Sequence, residues 1–436
     1  MPRDMKNFFK KILSKNNLLV IVIFLVAVVV RFYNFENRVT FGPEQAISLE
    51  TSANMIKEKF SLLGIENVQR ITSRGLKIFS GSLFSYSLIP LLFVFNYQVL
   101  PISIYFSVLN IFTALIFYMV TKRMFGKKTA TFSLILFLFN NYMIYHSLFI
   151  WILNYLPLVG VLTLYLLHEE KTKFKYWQVF WLGILSGVGI SLEYLYLPTY
   201  LLVLILTLAL SKERVKSFLI FISSSLIPNL PLIIFDMRHN FYNLTVLWQY
   251  FLDAIRKPEI SGIAYYHFLQ FWPVVALILG YLLFKIWDKN KLIVCLLVTV
   301  YLFFNISSSL VKFDRPTGMP KDLTIKNISY ATSQIKRDNP FDFNVVVIND
   351  FDTRGHILRY YLRFNNNISP LDVEDYPISK TLYVLAPLDY NFSETQVWEI
   401  RSFGYKEAIK LTDVGKNFGL FKLQRNENVT NYSNLQ

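Results

Sequence analysis

Nine apolar runs, each long enough to cross a bilayer, constrain this chain more than anything else in it. They fall at 17–33, 100–121, 129–146, 148–168, 176–193, 196–211, 217–235, 266–286 and 291–309. A spanning helix needs about 17–25 mostly apolar residues, because it must satisfy its own backbone across the hydrocarbon. A water-soluble core has no use for so many such runs. The composition agrees: 54% of residues are hydrophobic and 17% aromatic, with a mean hydropathy of +0.39. The fold expected is an α-helical polytopic membrane protein. The net charge of +15 does not point to nucleic acid, because the basic residues cluster in short loops between apolar runs. That is the pattern of a membrane protein with positive loops inside. The one cysteine, Cys295, lies in an apolar run, so neither an internal disulfide nor a cysteine metal site is available.

The loops set the orientation. The Lys-rich segment 1–16 precedes the first run with no small-residue cleavage site after it, which reads as an uncleaved anchor with a cytoplasmic N-terminus. Four further basic loops, at 122–128, 171–175, 212–216 and 285–291, belong on the same side. A tenth apolar run, 79–97, would invert all four if it crossed. It carries Ser80, Gly81, Ser82, Ser85, Ser87 and Pro90, and Pro90 is expected to break a helix there. We therefore expect nine spans, with 79–97 lying on or dipping into the outer face. The first outer loop is then 34–99, within a membrane domain of 17–310. Residues 311–425 form a small extracytoplasmic α/β domain, and 426–436 a polar tail. In the α/β domain, helices are expected at 324–338, 353–364 and 394–403, and strands at 343–348, 381–386 and 418–423.

A long loop straight after the first span suits an enzyme working at the membrane surface better than a channel. Its Phe41-Gly42-Pro43-Glu44-Gln45-Ala46 stretch sets a carboxylate near the bilayer, where partial desolvation makes it a better base. The same position also suits a solvated or capping carboxylate. Arg70, Arg74 and Lys77 follow and could meet a phosphate, or lipid head groups. Glu193 ends the fifth span, and ionisable residues at that depth are functional candidates. Asp236-Met237-Arg238-His239 follows the seventh span. Arg238 offers a forked contact to an anionic phosphate, with His239 beside it, although an Asp236–Arg238 pair could simply anchor the helix end. His146, Trp151 and Asn154 bracket the turn between the third and fourth spans. No Walker loop, dinucleotide glycine motif, zinc His pair or nucleophile elbow is present.

The order of these motifs resembles the GT-C superfamily of integral membrane glycosyltransferases, and within it the protein O-mannosyltransferase and aminoarabinose transferase type. Phe41 to Ala46 looks like the acidic first-loop motif. Gly75 to Tyr86, with Ser82 where a proline is usual, looks like the juxtamembrane motif, Ile150 to Pro157 like a Trp-Asn-Pro stretch, and Pro231 to Phe241 like the Arg-His-x-Phe element. Glu44 stands where an Asp is usual, and Glu193 where members often have His. The resemblance implies a dolichyl- or undecaprenyl-phosphate-sugar donor, an acceptor hydroxyl, and inversion with Glu44 as general base. It puts Arg238, His239, Arg74 and Lys77 at the donor phosphate, and Gln45, Glu193, Tyr86, Asn154 and Asp236 in the substrate pocket. Some members use a divalent metal. Glu44 has no adjacent carboxylate, so no cofactor is expected. An inactive scaffold that binds lipid-linked sugar, or a polytopic transporter or flippase, is the alternative.

Overall fold

The computed structural model describes residues 17–168, 173–256, 264–349 and 352–425, without the side chains of 67–71 and 254. The basic N-terminal segment 1–16, residues 171 and 172 of the 171–175 loop, and the polar tail lie outside the described residues. The chain is a multi-pass helical membrane protein with a small C-terminal sheet. Three helices are long and apolar enough to cross a bilayer by themselves: Val99–Leu138, Arg214–Arg238 and Tyr265–Trp287. Six shorter apolar helices accompany them, among them Leu18–Phe32, Tyr176–Leu192 and Lys291–Ile306. The expected run 100–121 and the first part of 129–146 are joined in the 40-residue Val99–Leu138 helix, interrupted where Gly126 takes φ 82°, while the rest of the second run forms the separate helix Asn141–His146.

Helix contacts depend on small residues that let backbones approach, as is usual where lipid gives no apolar driving force. Gly183 and Gly187, one turn apart, face the helix Arg214–Leu226. A Cβ added at Gly187 would lie 2.2 Å from the Ser225 carbonyl oxygen. The expectation for Pro90 needs correcting. It sits inside the helix Leu83–Val94. Only the one hydrogen bond its missing N–H would have made is lost, and packing on the buried Leu88 and Leu92 holds the helix together.

The first loop is structured throughout. Pro43–Lys57 is a helix, and Glu66–Ile71 pairs antiparallel with Lys77–Phe79 in a hairpin. The helix Tyr242–Arg256 lies against that hairpin. Asp253 accepts from the Ser73 N–H at 2.9 Å and from its hydroxyl at 2.8 Å, while Leu244, Trp248, Phe251 and Ile255 form an exposed apolar stripe along the helix. Such a helix, with one apolar face and one polar face, has the character of an interfacial element.

The C-terminal unit is a four-stranded sheet with Phe343–Val347 parallel to Thr381–Pro387 and the remaining pairs antiparallel. Its helices are Ile325–Arg337, His356–Phe364 and Trp398–Phe403. The strand Tyr405–Val414 was not expected. It is an edge strand, rich in charge and mostly exposed, so it carries little of the apolar alternation by which strands are recognised. The helix His356–Phe364 joins the unit to the first loop. Tyr360 and Tyr361 flank the buried Phe41 at 5.8 and 5.7 Å, the Tyr360 hydroxyl donates to the Tyr97 carbonyl at 2.8 Å, and Arg363 Nη1 donates to Glu50 at 2.7 Å. Glu50 illustrates the sign of that contact. Burial raises its carboxyl, but His356, Arg363 and Arg359 together outweigh burial and hold it below the usual range. A depressed folded value contributes stability above the usual carboxylate range, and that stability is lost as pH falls through the folded value. Acidification is therefore expected to loosen this seam before the rest of the protein, read as early proton exchange in the helix His356–Phe364.

Candidate active site

Glu44 is the second residue of the helix Pro43–Lys57 and is exposed. Pro43 suits the first helical position because its absent N–H would have had no partner there. Gln45 Oε1 turns back to accept the Gly42 N–H at 2.9 Å, so Gln45 is buried as a cap. A negative side chain in the first turn is favoured by the helix dipole. The segment before it is fixed on both sides: the Thr40 N–H donates to the Leu148 carbonyl at 3.3 Å, and its hydroxyl to the Thr317 carbonyl at 3.0 Å. Tyr145 lies close enough to Glu44 to feel its charge.

Next to Tyr145, His146 is buried and stacks on Trp151 with ring centroids 4.9 Å apart. Its Nε2 shares a hydrogen bond with the Tyr265 hydroxyl at 3.2 Å. Asn154 donates to the His146 and Phe149 carbonyls at 2.9 and 2.8 Å. Its amide closes this turn.

Two residues beyond Tyr265, His267 Nδ1 donates to Glu193 Oε2 at 2.8 Å. Glu193 Oε1 accepts the Leu195 N–H at 3.0 Å. Both side chains are largely buried, and His267 Nε2 has no hydrogen-bond partner among the described residues. Tyr194 donates to the Phe79 carbonyl at 2.8 Å, which ties this pair to the juxtamembrane segment. Replacing Glu193 by Leu is expected to cost roughly 1–3 kcal/mol for each polar group left unpaired. A lowered melting temperature in detergent, largely restored in Glu193→Gln, is the result to look for.

The basic candidates lie around the hairpin and the helix beside it. Lys77 pairs with Glu66 at 3.1 Å, and its backbone bonds the Tyr242 hydroxyl on both sides at 3.2 Å. Arg74, at the hairpin tip, and Arg238 are exposed and make no hydrogen bond or ion pair among the described residues. The Arg70 side chain lies outside the described residues. Asp236 does not pair with Arg238. Its oxygens accept the N–H groups of Asn243 and Leu244 at 2.8 and 3.1 Å, so it caps the following helix. His239 stacks on Phe235 at 4.1 Å. Tyr86 donates to the Ser61 carbonyl at 2.8 Å and stacks on Phe60.

Two groups emerge, Glu44–Tyr145–His146 and Glu193–His267, bridged by the segment Tyr265–Phe271. The basic hairpin meets the second group through Phe79 and Tyr194. A helical bundle with a structured first loop, a juxtamembrane helix and a C-terminal α/β unit packed on that loop is an arrangement found among solved structures. ArnT from Cupriavidus metallidurans in the apo state matches with a TM-score of 0.58 at 12% identity, over 93% of this chain and 97% of that one. The chain shares the overall fold of that ArnT structure.

Two further structures align over much of the chain at TM-scores too low to argue from. They are the same ArnT bound to undecaprenyl phosphate (0.47, 12% identity, 94% of this chain and 98% of that one) and the Archaeoglobus fulgidus oligosaccharyltransferase in complex with zinc and sulfate (0.48, 12% identity, 85% and 68%). No protein-family model matches the sequence, and no curated protein matches it. At 12% identity the likeness to ArnT establishes the fold alone and leaves individual residues to the local geometry.

Sequence patterns alone passed over Tyr145, Tyr194, Tyr265 and His267. Tyr145 adjoins His146 in sequence, so a signal for it was present. His267 begins an apolar run and could be recognised only from its carboxylate partner 74 residues away. Among the described residues no three His, Cys, Asp or Glu side chains are grouped to hold a metal ion.

Proposed function

We propose that this chain is a membrane glycosyltransferase that moves a sugar from a polyprenyl-phosphate carrier to an acceptor hydroxyl, with inversion at the anomeric carbon. The observation that carries the reading is Glu44, presented at the start of a rigidly clamped first-loop helix in a GT-C fold. Glu44 takes the proton from the acceptor hydroxyl as its oxygen attacks the anomeric carbon. The bond from that carbon to the phosphate oxygen breaks, and its electron pair leaves on the phosphate. A phosphate leaves readily without being protonated, so the step needs one base and no general acid. Attack from the side opposite the leaving group inverts the centre, by analogy with single-displacement glycosidases.

Arg238 and Arg74 have no partners of their own among the described residues, and this supports a role for them at the departing phosphate. Lys77 would have to exchange Glu66 for that phosphate. The reading assigns no metal or other cofactor. It places the reaction at the extracytoplasmic face of the plasma membrane, with the N-terminus cytoplasmic, in line with the four basic loops.

The test is sugar release from a panel of labelled polyprenyl-phosphate sugars by membranes carrying the protein. Arg238→Ala is expected to lower kcat/KM about ten- to a hundredfold, the loss of one charge-assisted contact, chiefly through KM for the lipid donor. Absence of turnover with every donor would remove the transferase reading and leave a binding scaffold or a flippase.

A further inference from the structure

A cavity of about 350 Å³ lies at the seam between the first-loop helix and the C-terminal unit. Glu50 lines it from one side and His356, Arg359 and Arg363 from the other, with the loop 372–375 closing its edge. None of the residues lining it belongs to the site proposed for catalysis. Its chemistry is specific. Arg363 donates to Glu50 at 2.7 Å and to Asp372 at 3.3 Å, so donors and acceptors stand side by side along the wall. His356 is 3.6 Å from Glu50 and 3.5 Å from Asp352. Both its ring nitrogens are buried and form no hydrogen bond among the described residues, with only 13% of the side chain exposed.

A hydroxyl both donates and accepts, so it complements a wall of adjacent carboxylate, guanidinium and imidazole groups. A lipid tail does not fit, since Val373 is the one apolar residue in the lining. An anion is disfavoured because Glu50, Asp372, Glu374 and Asp375 outnumber the two arginines, and like charges repel. The occupant these groups select is a neutral, hydroxyl-rich ring.

We propose that this cavity is an acceptor subsite and that the acceptor is a glycan, one neutral sugar unit of which seats against Glu50, His356 and Arg363. The proposal rests on the reading of the chain as a glycosyltransferase and names the acceptor class. Glu50 and Glu44 share one helix, six residues or roughly 9 Å apart along its axis. Since the two lie about a third of a turn apart around the helix as well, a glycan held at Glu50 would have to wind round it to reach the base, so the accepting hydroxyl belongs to a different unit from the one bound in the cavity.

The experiment is saturation-transfer NMR on the full-length protein in detergent, without lipid donor. The panel is neutral oligosaccharides of glucose, galactose, mannose and N-acetylglucosamine, with glucose 6-phosphate as the anionic probe. At least one neutral oligosaccharide is expected to bind. Arg363→Gln should weaken it about tenfold or more, as expected for one hydrogen bond to a charged group. Val373→Trp, which fills the cavity from its half-buried rim, should abolish binding without lowering the melting temperature. No binding by any neutral oligosaccharide, binding of the phosphorylated sugar alone, or full binding in both variants would overturn the proposal. Because the donor is absent, those outcomes leave the transferase reading to its own turnover assay. Oligosaccharide binding in a protein that turns over no donor would reject the transferase reading and with it the acceptor role, leaving a glycan-binding cavity.

Discussion

Glu44→Gln is expected to lower sugar transfer by about 10²–10⁴-fold, the range that a positioned general base contributes. The substitution keeps the shape of the side chain and removes its basicity. The fold should tolerate it, because Glu44 is exposed and its place in the first turn is worth roughly 0.3–1 kcal/mol against the helix dipole. The cap that defines the turn is made by Gln45 and Gly42, and the entry of the chain by Thr40 and Phe41. Donor binding should survive, since the residues assigned to the phosphate are elsewhere. The measurement is turnover of a polyprenyl-phosphate sugar alongside donor binding in the same membranes. Unchanged turnover would remove Glu44 as the base and direct attention to the carboxylate of Glu193, which is within reach of His267.

Arg359→Ala should have the largest effect on the folded state. Arg359 is 2% exposed and spends its donors inside the C-terminal unit: Nε on the Arg354 carbonyl at 2.7 Å, Nη1 on the Leu371 carbonyl at 2.5 Å, and Nη2 on Asn344 and the Tyr376 hydroxyl. Alanine fills none of that space and leaves several buried acceptors without a donor. At about 1–3 kcal/mol for each orphaned group, the loss is a large part of the roughly 5–15 kcal/mol that keeps a domain folded. Arg359→Lys should recover little, because a single ammonium cannot reach acceptors arranged around a planar fork. The expected result is rapid proteolysis of the C-terminal unit. Transfer activity should fall with it, since the helix bearing Arg359 also packs Tyr360 and Tyr361 onto Phe41. Wild-type protease resistance in Arg359→Ala would show that the guanidinium is dispensable. Melting behaviour separates this variant from Glu44→Gln, which should lose activity while keeping its fold.

The helices of the bundle were legible because burial in lipid demands long apolar runs, and the motif around Glu44 stood out because a carboxylate after the first run is conspicuous. The helix that carries Glu44 was not legible. Pro43–Lys57 buries Ala46, Leu49 and Ala53 together with Ser48 and Ser52. Those serines bond back to carbonyls one turn earlier, Ser48 to Glu44 and Ser52 to Ser48, so polar residues occupy a buried face and blur the apolar period. Pro90 misled in the opposite direction, since a helix packed on its neighbours can lose one backbone bond and persist.

The sequence by itself determined a polytopic helical protein, a long first loop with an acidic motif, and a C-terminal α/β unit. Each follows from local composition and period, which one stretch of chain can state alone. Tertiary structure decided the partners. Glu193 acquires His267, and Glu50 acquires Arg363 across 313 residues. Asp236 turns from Arg238 to cap the next helix, which leaves Arg238 without an intramolecular partner among the described residues. A charged side chain states what chemistry it can do, but only the packing of helices and sheet determines which opposite charge it meets and which cavity the pair lines.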